Sequence, residues 1–377
     1  MTALALALPW LVLAFVALPM LLWKRPRLQD YKPVQGPRVS IIIPARNEAG
    51  HLPACLAGIL DTSYHDVEIV IVDDRSGDGT LEFAEALAEK DERVRVVRGE
   101  ALPDGWIGKP WACWQGYRAA RGDILVFTDA DTRHASDLVA RTVAVLEAEG
   151  ADMVSVLPRQ LMVGFWERLI LPQVWFVINA RHPLVRNVNR ADDPRDVIAN
   201  GQFIMIRREA YEAMGGHEAV RDAVVEDIRL AQRVVEVGRR LFVVFGEAHI
   251  RTRMYDSLAA IIEGWTKNVA LGARLSVGPR LKRAVPWIVM LIPAVLWILP
   301  PLAFGLSFGV ADGILRQWAL IATAASVLFW AGFDLRHRVP LVYVPLYPLG
   351  AAFATVIFVR SALRGERVIW KGRRYGA

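Results

Sequence analysis

Apolar residues are concentrated at the two ends of this chain, and charged residues lie between them. Residues 4–23 are almost uninterrupted apolar sequence, and apolar segments return at 285–310, 318–333 and 340–359. Because a membrane-spanning helix needs roughly 20 such residues, we expect one at the N-terminus and about three near the C-terminus. With 54% hydrophobic and 22% charged residues overall, the charged ones must belong to a globular middle.

Basic residues set the expected orientation. The run KRPR at residues 24–27 follows the first apolar segment and no basic residue precedes it, which favours a retained anchor with a cytoplasmic globular domain in the inner cell membrane. Three later spans would put the basic tail outside, against the positive-inside rule, unless residues 340–359 are re-entrant or 285–310 double back. We favour a cytoplasmic tail and a multi-pass protein. The expected regions are a membrane helix (1–23), a cytoplasmic domain (24–250), an interfacial region (251–284), a membrane region (285–359) and a basic tail (360–377).

Cysteine content and net charge narrow the possible partners. The two cysteines, Cys55 and Cys113, both lie in the globular middle, which suits a reducing compartment and gives no disulfide or zinc framework. The net charge of +6 is modest, and the basic clusters adjoin apolar segments. An anionic lipid surface is therefore the expected partner, and nucleic acid is not.

The globular middle alternates short apolar runs with helical patterns. This alternation predicts an α/β fold with a doubly wound sheet, in which a ligand binds outside the carboxyl ends of the strands. The first strand is followed by Pro44 and Arg46 instead of a Gly-x-Gly-x-x-Gly motif, which argues against a dinucleotide-dependent oxidoreductase. The predicted strands are 39–43, 68–72, 94–97 and 124–127, and the predicted helices are 51–60, 80–90 and 111–121.

Two carboxylates follow the strand predicted at 124–127. Asp129 and Asp131 are two residues apart, so on an extended segment they project to the same side and can hold one hard cation, Mg or Mn. The remaining coordination positions would suit diphosphate oxygens. The alternative is a polar turn after a buried strand.

Three motifs in sequence order resemble the family 2 glycosyltransferases, whose GT-A fold is a Rossmann-like mixed sheet that binds nucleotide sugars. They are IIIPARNE at residues 41–48, VDDRSGDGT at 72–80 and TDAD at 128–131. GWIGKPWA at 105–112 and WKGRRY at 370–375 are similar to the membrane-anchored branch that glycosylates carotenoid and hopanoid-associated lipids. The resemblance covers about residues 39–238 and implies a hexosyltransferase.

The resemblance implies a UDP-sugar donor. Asp74 would accept a hydrogen bond from uracil, with Pro44, Ala45 and Glu48 lining the nucleotide pocket. The alternative for Asp73 and Asp74 is a turn or helix-capping role.

The resemblance also assigns the charged groups. Asp131 would be the direct metal ligand, with Asp129 contacting the metal through water or the ribose. Lys109, expected in a loop, would move onto the phosphates as a flexible charge, unless it is a solvated lysine. The catalytic pair would be Glu226 and Asp227 at the start of a helix, with Asp227 as the general base of an inverting transfer. The alternative is that both acids have no catalytic role and stand at the start of the helix because negative charge there interacts favourably with the helix dipole.

A lipid is the expected acceptor. Residues 164–178 and 257–275 are apolar stretches interrupted by charges that suit helices in the membrane interface, although they could pack on the domain core. His217, Asn200, Gly201 and Gln202 are expected to shape the sugar and acceptor pocket. The alternatives are a processive polysaccharide synthase, disfavoured because residues 262–268 lack a Gln-x-x-Arg-Trp motif, or a non-catalytic membrane scaffold that retains the fold. Trp265 and Lys267 lie in this region and are the candidates to take the place of the motif's residues.

Overall fold

The chain folds into two compact units, each assembled from separate segments. The computed structural model describes residues 2–22, 25–365, 368–370 and 373–375. The first unit, here called the sheet unit, comprises Arg25–Leu161, Leu184–Met254 and Val368–Ala377. The second, the helical unit, comprises Met1–Lys24, Met162–Pro183 and Tyr255–Arg367. Residues 162–183 thus belong to the helical unit, whereas the predicted domain 24–250 included them.

The strands of the described residues all lie in the sheet unit. The four predicted strands are confirmed, each with ends within two residues of its prediction. The strands are β1 (Val39–Ala45), β2 (Val67–Asp73), β3 (Val94–Arg98), β4 (Ile124–Thr128), β5 (Thr132–His134), β6 (Met153–Leu157), β7 (Arg159–Gln160), β8 (Phe203–Arg207), β9 (Leu241–Phe245), β10 (Ile250–Thr252), β11 (Val368–Trp370) and β12 (Arg373–Tyr375).

Seven of these strands form one mixed sheet in the order β3-β2-β1-β4-β8-β6-β9. Strands β3, β2, β1 and β4 are parallel, β8 is antiparallel to both β4 and β6, and β9 is parallel to β6. The mixed sheet implied by the family resemblance is thereby confirmed. Since β1, β2 and β4 are parallel, their carboxyl ends meet at one edge of the sheet. A small sheet, β5-β10-β7, continues from the turn after β4, and β11 pairs with β12.

Both faces of the large sheet are covered, which explains the continuous apolar runs of its strands. Along β1, Ile41 and Ile43 pack into one hydrophobic core, whereas Ile42 packs into the other. Alternate residues of a strand point to opposite faces, so a strand covered on both sides needs an apolar residue at every position. The helices of this unit are Leu52–Leu60, Thr80–Ala88, Gly108–Ala119, Leu138–Ala148, Val185–Val188, Arg208–Ala213 and Glu226–Glu236, with 3-10 turns at Leu28–Asp30, Pro194–Asp196 and Gly216–Val220.

The helix Gly108–Ala119 packs unusually close to the sheet. A Cβ added at Gly116 would lie 2.4 Å from Cγ2 of Ile42 and 3.0 Å from Cγ2 of Val72, so glycine permits this approach. The helix begins at Gly108, three residues before the predicted start. Lys109 therefore lies in the first helical turn, and the prediction that it occupies a loop is wrong.

The helical unit contains three helices long and apolar enough to cross a membrane among the described residues: Val285–Gly309, Gly313–Arg336 and Leu341–Arg364. They match the three predicted C-terminal segments, and the middle helix is longer than its predicted 318–333. The N-terminal segment forms two helices, Ala3–Leu6 and Leu8–Leu22, so its predicted span stays a prediction. The α-helices of this unit are Ala3–Leu6, Leu8–Leu22, Phe165–Arg181, Leu258–Leu275, Val285–Pro293, Leu299–Leu306, Gly313–Arg336 and Tyr347–Arg364. A π-helical turn lies at Ala294–Ile298, and 3-10 helices lie at Ser307–Gly309 and Leu341–Leu346.

The two amphipathic stretches predicted from sequence are helices of this unit. Phe165–Arg181 and Leu258–Leu275 both pack on Tyr347–Arg364, within one hydrophobic cluster. A Cβ at Gly350 would lie 2.4 Å from the carbonyl oxygen of Leu169, which shows how closely the first pair approaches. The apolar faces of both stretches are thus buried within the helical unit.

Candidate active site at the carboxyl ends of the strands

The loops that follow β1 and β2 are tied together by hydrogen bonds. Asn47 and Arg75 adopt positive φ angles of 53° and 58°, which turn each loop sharply. The Asn47 amide donates to Ser76 Oγ at 3.0 Å, and the Gly77 amide donates to Asn47 Oδ1 at 2.9 Å. The amide of Glu48 donates to Thr80 Oγ1 at 2.9 Å. The polar loops at this edge of the sheet therefore form one connected structure.

The four residues predicted to bind the nucleotide base and ribose lie at adjacent strand ends. Pro44 and Ala45 pair in register with the last two residues of β2, and the amide of Asp74 donates to the carbonyl oxygen of Ala45 at 2.7 Å. Asp74 is buried. Glu48 Oε2 accepts a hydrogen bond from His51 Nδ1 at 3.0 Å. These contacts place the four residues at one edge of the sheet.

Arg46 is a site residue that the sequence reasoning did not assign. Its Nη1 donates to the carbonyl oxygen of Asp74 at 2.6 Å and lies 3.8 Å from the Asp74 carboxylate. Asp73, the residue before Asp74, stabilises the turn after β2, because its Oδ2 accepts a hydrogen bond from the Ser76 amide at 3.2 Å. An arginine directly after an apolar strand and two residues before Glu48 was the available signal.

Lys109 bridges two carboxylates from different parts of the chain. Its Nζ lies 2.7 Å from Asp129 Oδ1 and 2.8 Å from Glu226 Oε1. Burial opposes the charged form, but attraction to Asp129 and Glu226 outweighs it and raises the pKa of Lys109 well above its ordinary value. Lys109 is therefore a fixed cation at this point, in contrast to the flexible charge predicted from sequence.

Asp131 has a different environment from Asp129. Its Oδ1 is buried and accepts no hydrogen bond from the described part of the chain. Burial, followed by repulsion from Asp129 and Glu48, raises the pKa of Asp131 to about 7, while Lys109 and His51 oppose the rise. A carboxylate kept away from water without a donor gains most from a bound cation.

Asp227 is held by backbone amides at the start of helix Glu226–Glu236. The amide of Gly201 donates to its Oδ2 at 2.9 Å, and the amide of Ile228 donates to its Oδ1 at 2.9 Å. Burial raises the pKa of Asp227 to about 6, Glu226 adds to the rise, and Lys109 with the two amides opposes it. Such a carboxylate is charged at neutral pH and is a better proton acceptor than an exposed aspartate.

Gly201 is the point at which these groups converge. A Cβ there would lie 3.2 Å from Lys109 Nζ, 3.3 Å from Asp227 Cβ and 3.4 Å from Glu226 Oε1. Of the other predicted pocket residues, His217 is buried against the Tyr211 hydroxyl, with its Nδ1 at 2.8 Å. Burial lowers the pKa of His217 to about 3, so the ring is neutral.

The donor set fits a divalent cation shared with a phosphorylated ligand. Asp129, Asp131, Glu226 and Asp227 supply four carboxyl groups to this cluster, against the single ammonium group of Lys109. An excess of negative charge would repel a diphosphate unless a cation accompanied it. The described residues contain no group of three or more His, Cys, Asp or Glu side chains that could hold a metal on its own. Two carboxylates, one of them lacking a partner at Oδ1, leave coordination positions for ligand oxygens.

Known proteins of similar sequence point to one class of enzyme. Residues 40–215 match the family described as glycosyl transferase family 2. The 4,4'-diaponeurosporenoate glycosyltransferase of Staphylococcus haemolyticus (strain JCSC1435) is 28% identical over 266 residues, which cover 69% of this chain and 66% of that protein. The enzyme of the same name from Staphylococcus aureus (strain USA300) is 28% identical over 350 residues, which cover 89% and 88%.

A solved structure shares the fold. The mannosyltransferase PcManGT from Pyrobaculum calidifontis, in complex with GDP-Man and Mn2+, superposes with a TM-score of 0.60 at 22% identity, covering 96% of this chain and 97% of that chain. The family match spans β1 to β8, and the relatives match regions that include it. Residues 40–215 are therefore a glycosyltransferase family 2 domain, the sheet unit has the GT-A fold, and the protein is a glycosyltransferase.

Proposed function

We propose that this enzyme transfers a single sugar from a UDP-sugar to a lipid acceptor, with inversion at the anomeric carbon and Asp227 as the general base. The observation that supports this most is the convergence of Lys109, Asp129, Glu226 and Asp227 around Gly201 at the carboxyl ends of the strands. The cluster offers a cation for the leaving group and a proton acceptor within one site.

Stabilisation of the leaving diphosphate is the first requirement. Negative charge grows on the diphosphate as its bond to the sugar breaks, and fixed cations lower the energy of that state. Lys109 already carries a full charge, and its two carboxylate partners fix its position. A divalent cation, Mg or Mn, held by Asp131 and Asp129 would neutralise further charge on the diphosphate.

Removal of the acceptor proton is the second requirement. The acceptor oxygen forms a bond to the anomeric carbon, the bond from that carbon to the diphosphate oxygen breaks, and the proton passes to Asp227. The two amide donors hold the Asp227 carboxylate in one orientation. A single displacement of this kind inverts the configuration. An ionised carboxyl acceptor has no proton to give, so Asp227 matters as a base when the acceptor is a hydroxyl group.

A lipid acceptor is supported by the three apolar helices and by the names of the relatives. Both staphylococcal relatives are named for 4,4'-diaponeurosporenoate as the acceptor. The helices of the second unit provide the apolar length that an enzyme acting in a bilayer needs. A processive synthase is less favoured because residues 262–268, which lie in the helix Leu258–Leu275, lack the Gln-x-x-Arg-Trp clamp motif.

The course of the chain supports a tail on the same side of the membrane as the site. The chain leaves the sheet unit at Met254 and re-enters it at Val368. One compact unit lies on one side of a bilayer, so the number of complete crossings between these residues is even. Two of the three candidate helices would then cross, and the third would be re-entrant. This arrangement removes the conflict with the positive-inside rule and favours a cytoplasmic site.

Labelling with a membrane-impermeant maleimide tests this topology. Cys55 and Cys113 are buried, so their background reaction is low. We expect Lys90→Cys and Tyr375→Cys to react from the same side of sealed vesicles and Ala311→Cys, between the first two candidate spans, to react from the other. If Tyr375→Cys reacts from the side opposite Lys90→Cys, the tail assignment is wrong, and Ala311→Cys on the side of Lys90→Cys would identify the first candidate helix as the re-entrant one.

Transfer itself is tested with purified enzyme in lipid. Incubation with UDP-sugars or GDP-sugars, Mn²⁺ and a lipid extract, followed by mass spectrometry, reports the donor nucleotide, the acceptor and the number of sugars added. We expect one sugar from a UDP donor and, when the acceptor is a hydroxyl-bearing lipid, about 10²–10⁴-fold less product with Asp227→Asn. Products of many lengths would indicate a processive enzyme, and transfer from GDP-sugars alone would overturn the donor assignment.

A further inference from the structure

Two buried threonines enclose the turn that carries Asp129 and Asp131. Thr128 is the last residue of β4 and Thr132 the first of β5, and both are fully buried. Thr132 Oγ1 donates to the carbonyl oxygen of Asp129 at 2.7 Å. Thr128 Oγ1 donates to the carbonyl oxygen of Gln202 at 2.8 Å. Both ends of a three-residue turn are thus fixed by side-chain hydroxyls.

A third residue joins the two hydroxyls. His134 Nε2 lies 3.1 Å from Thr128 Oγ1 and 2.9 Å from Thr132 Oγ1. Each hydroxyl has one proton, and a carbonyl oxygen already accepts it. With both protons donated to carbonyls, Nε2 of His134 would donate to the two hydroxyl oxygens, which lie 3.2 Å from each other. The ring meets Phe203 edge-on, with centroids 5.6 Å apart, which holds it in this orientation.

The same network reaches the residues around the base. Gln202, which accepts the Thr128 hydrogen bond, follows Gly201, whose amide donates to Asp227. The amide of Gln202 donates to Asn200 Oδ1 at 2.9 Å, which fixes this loop. A continuous series of hydrogen bonds and backbone therefore links the turn to Asp227.

The position of the Asp131 carboxylate depends on this turn. Its Oδ1 has no hydrogen-bond partner among the described residues, so side-chain contacts do little to orient it. The backbone must do so, and the Thr132 hydroxyl is the shortest side-chain contact to that backbone. Residues that orient metal ligands without touching the metal commonly affect affinity strongly.

We propose that Thr132, with Thr128 and His134, is a positioning residue that fixes the Asp129–Asp131 turn for binding of a divalent cation. This inference rests on the proposed function, since it assumes that the two carboxylates bind the cation. It assigns no direct contact with the cation or the substrates to any of the three residues.

A matched pair of threonines tests this role. Thr132→Val keeps the shape of the side chain and removes the hydroxyl, whereas Thr132→Ser keeps the hydroxyl. Thr142 is equally buried, but its Oγ1 donates only to the carbonyl of Leu138 in its own helix, at 2.8 Å, so Thr142→Val is the control. Mn²⁺ binding to the full-length protein is measured in the presence of UDP, by titration and by the shift of the unfolding temperature.

We expect Thr132→Val to raise the apparent Mn²⁺ dissociation constant about 10–100-fold, as is typical when a partner of a metal ligand is removed. Thr132→Ser and Thr142→Val should keep the affinity of the unsubstituted protein. Unchanged affinity in Thr132→Val, or equal losses in Thr132→Val and Thr142→Val, would overturn the inference. If the unsubstituted protein itself fails to bind Mn²⁺ with UDP, the proposed metal site is wrong, which is a separate result.

Discussion

The pH dependence of transfer tests the assignment of Asp227 as the base. Burial and the adjacent Glu226 raise its pKa to about 6, compared with about 3.9 for an exposed aspartate. The base acts in its charged form, which is present above the pKa and lost as the pH falls through it. Because one pH unit changes the protonation ratio tenfold, the charged fraction falls from about nine-tenths at pH 7 to about one-tenth at pH 5. The rate constant for transfer should therefore fall roughly tenfold over that range.

The assay measures kcat with a hydroxyl-bearing lipid, at saturating donor and Mn²⁺, so that changes in cation binding do not contribute. Asp227→Asn should reduce kcat about 10²–10⁴-fold, the usual contribution of a general base, and flatten the remaining pH profile. An asparagine can still accept from the Gly201 amide, so folding should be preserved. Asp222→Asn, at an exposed position of the preceding loop, is the control. A flat profile between pH 5 and 7 in the unsubstituted enzyme, or activity retained by Asp227→Asn, would refute the assignment.

Three substitutions elsewhere test separate parts of the structure. Lys109→Met should raise the KM for the donor and lower kcat because it removes a fixed cation, while the exposed Lys90→Met should change neither; unchanged kinetics would remove Lys109 from the site. Asp131→Asn should abolish thermal stabilisation by Mn²⁺ with UDP but leave the metal-free protein at pH 8 at least as stable, because the substitution removes a charge that burial disfavours; a marked loss of metal-free stability would contradict this. Gly116→Ala, whose Cβ would lie 2.4 Å from a methyl group of β1, should lower the unfolding free energy by about 1–3 kcal/mol. Gly77→Ala, which has open space around it, should not, and equal effects in chemical unfolding would argue against the close packing.

Local patterns predicted much of the sheet because they follow from burial on both faces. Strands β1, β2, β3 and β4 read as apolar runs, and the structure confirms them. Their parallel order brings the residues that follow them to one edge, which is why the sequence could group Glu48, Asp74 and Asp129. The start of the helix at Gly108 was missed because Gly108 and Pro110 favoured a loop, although proline is tolerated in the first turn of a helix.

Contacts between distant residues could not be predicted in the same way. Lys109 pairs with both Asp129 and Glu226, and 117 positions separate the first from the last. The spacing of apolar residues along the chain predicts helices and strands, but it does not predict which distant side chains form a contact. The roles assigned to the site residues remain predictions, although the structure brings Lys109, Asp129, Glu226 and Asp227 into one cluster.

The sequence by itself determined strands β1 to β4, the polar residues at their ends and the apolar segments, since each depends on residues close together in the chain. Only the tertiary structure decided that β8 runs antiparallel inside the sheet and that residues 162–183 belong to the helical unit. It also decided that the Gly201 amide donates to Asp227 and that the Thr132 hydroxyl donates to the carbonyl oxygen of Asp129. These features depend on distances between segments, which the order of residues alone does not set.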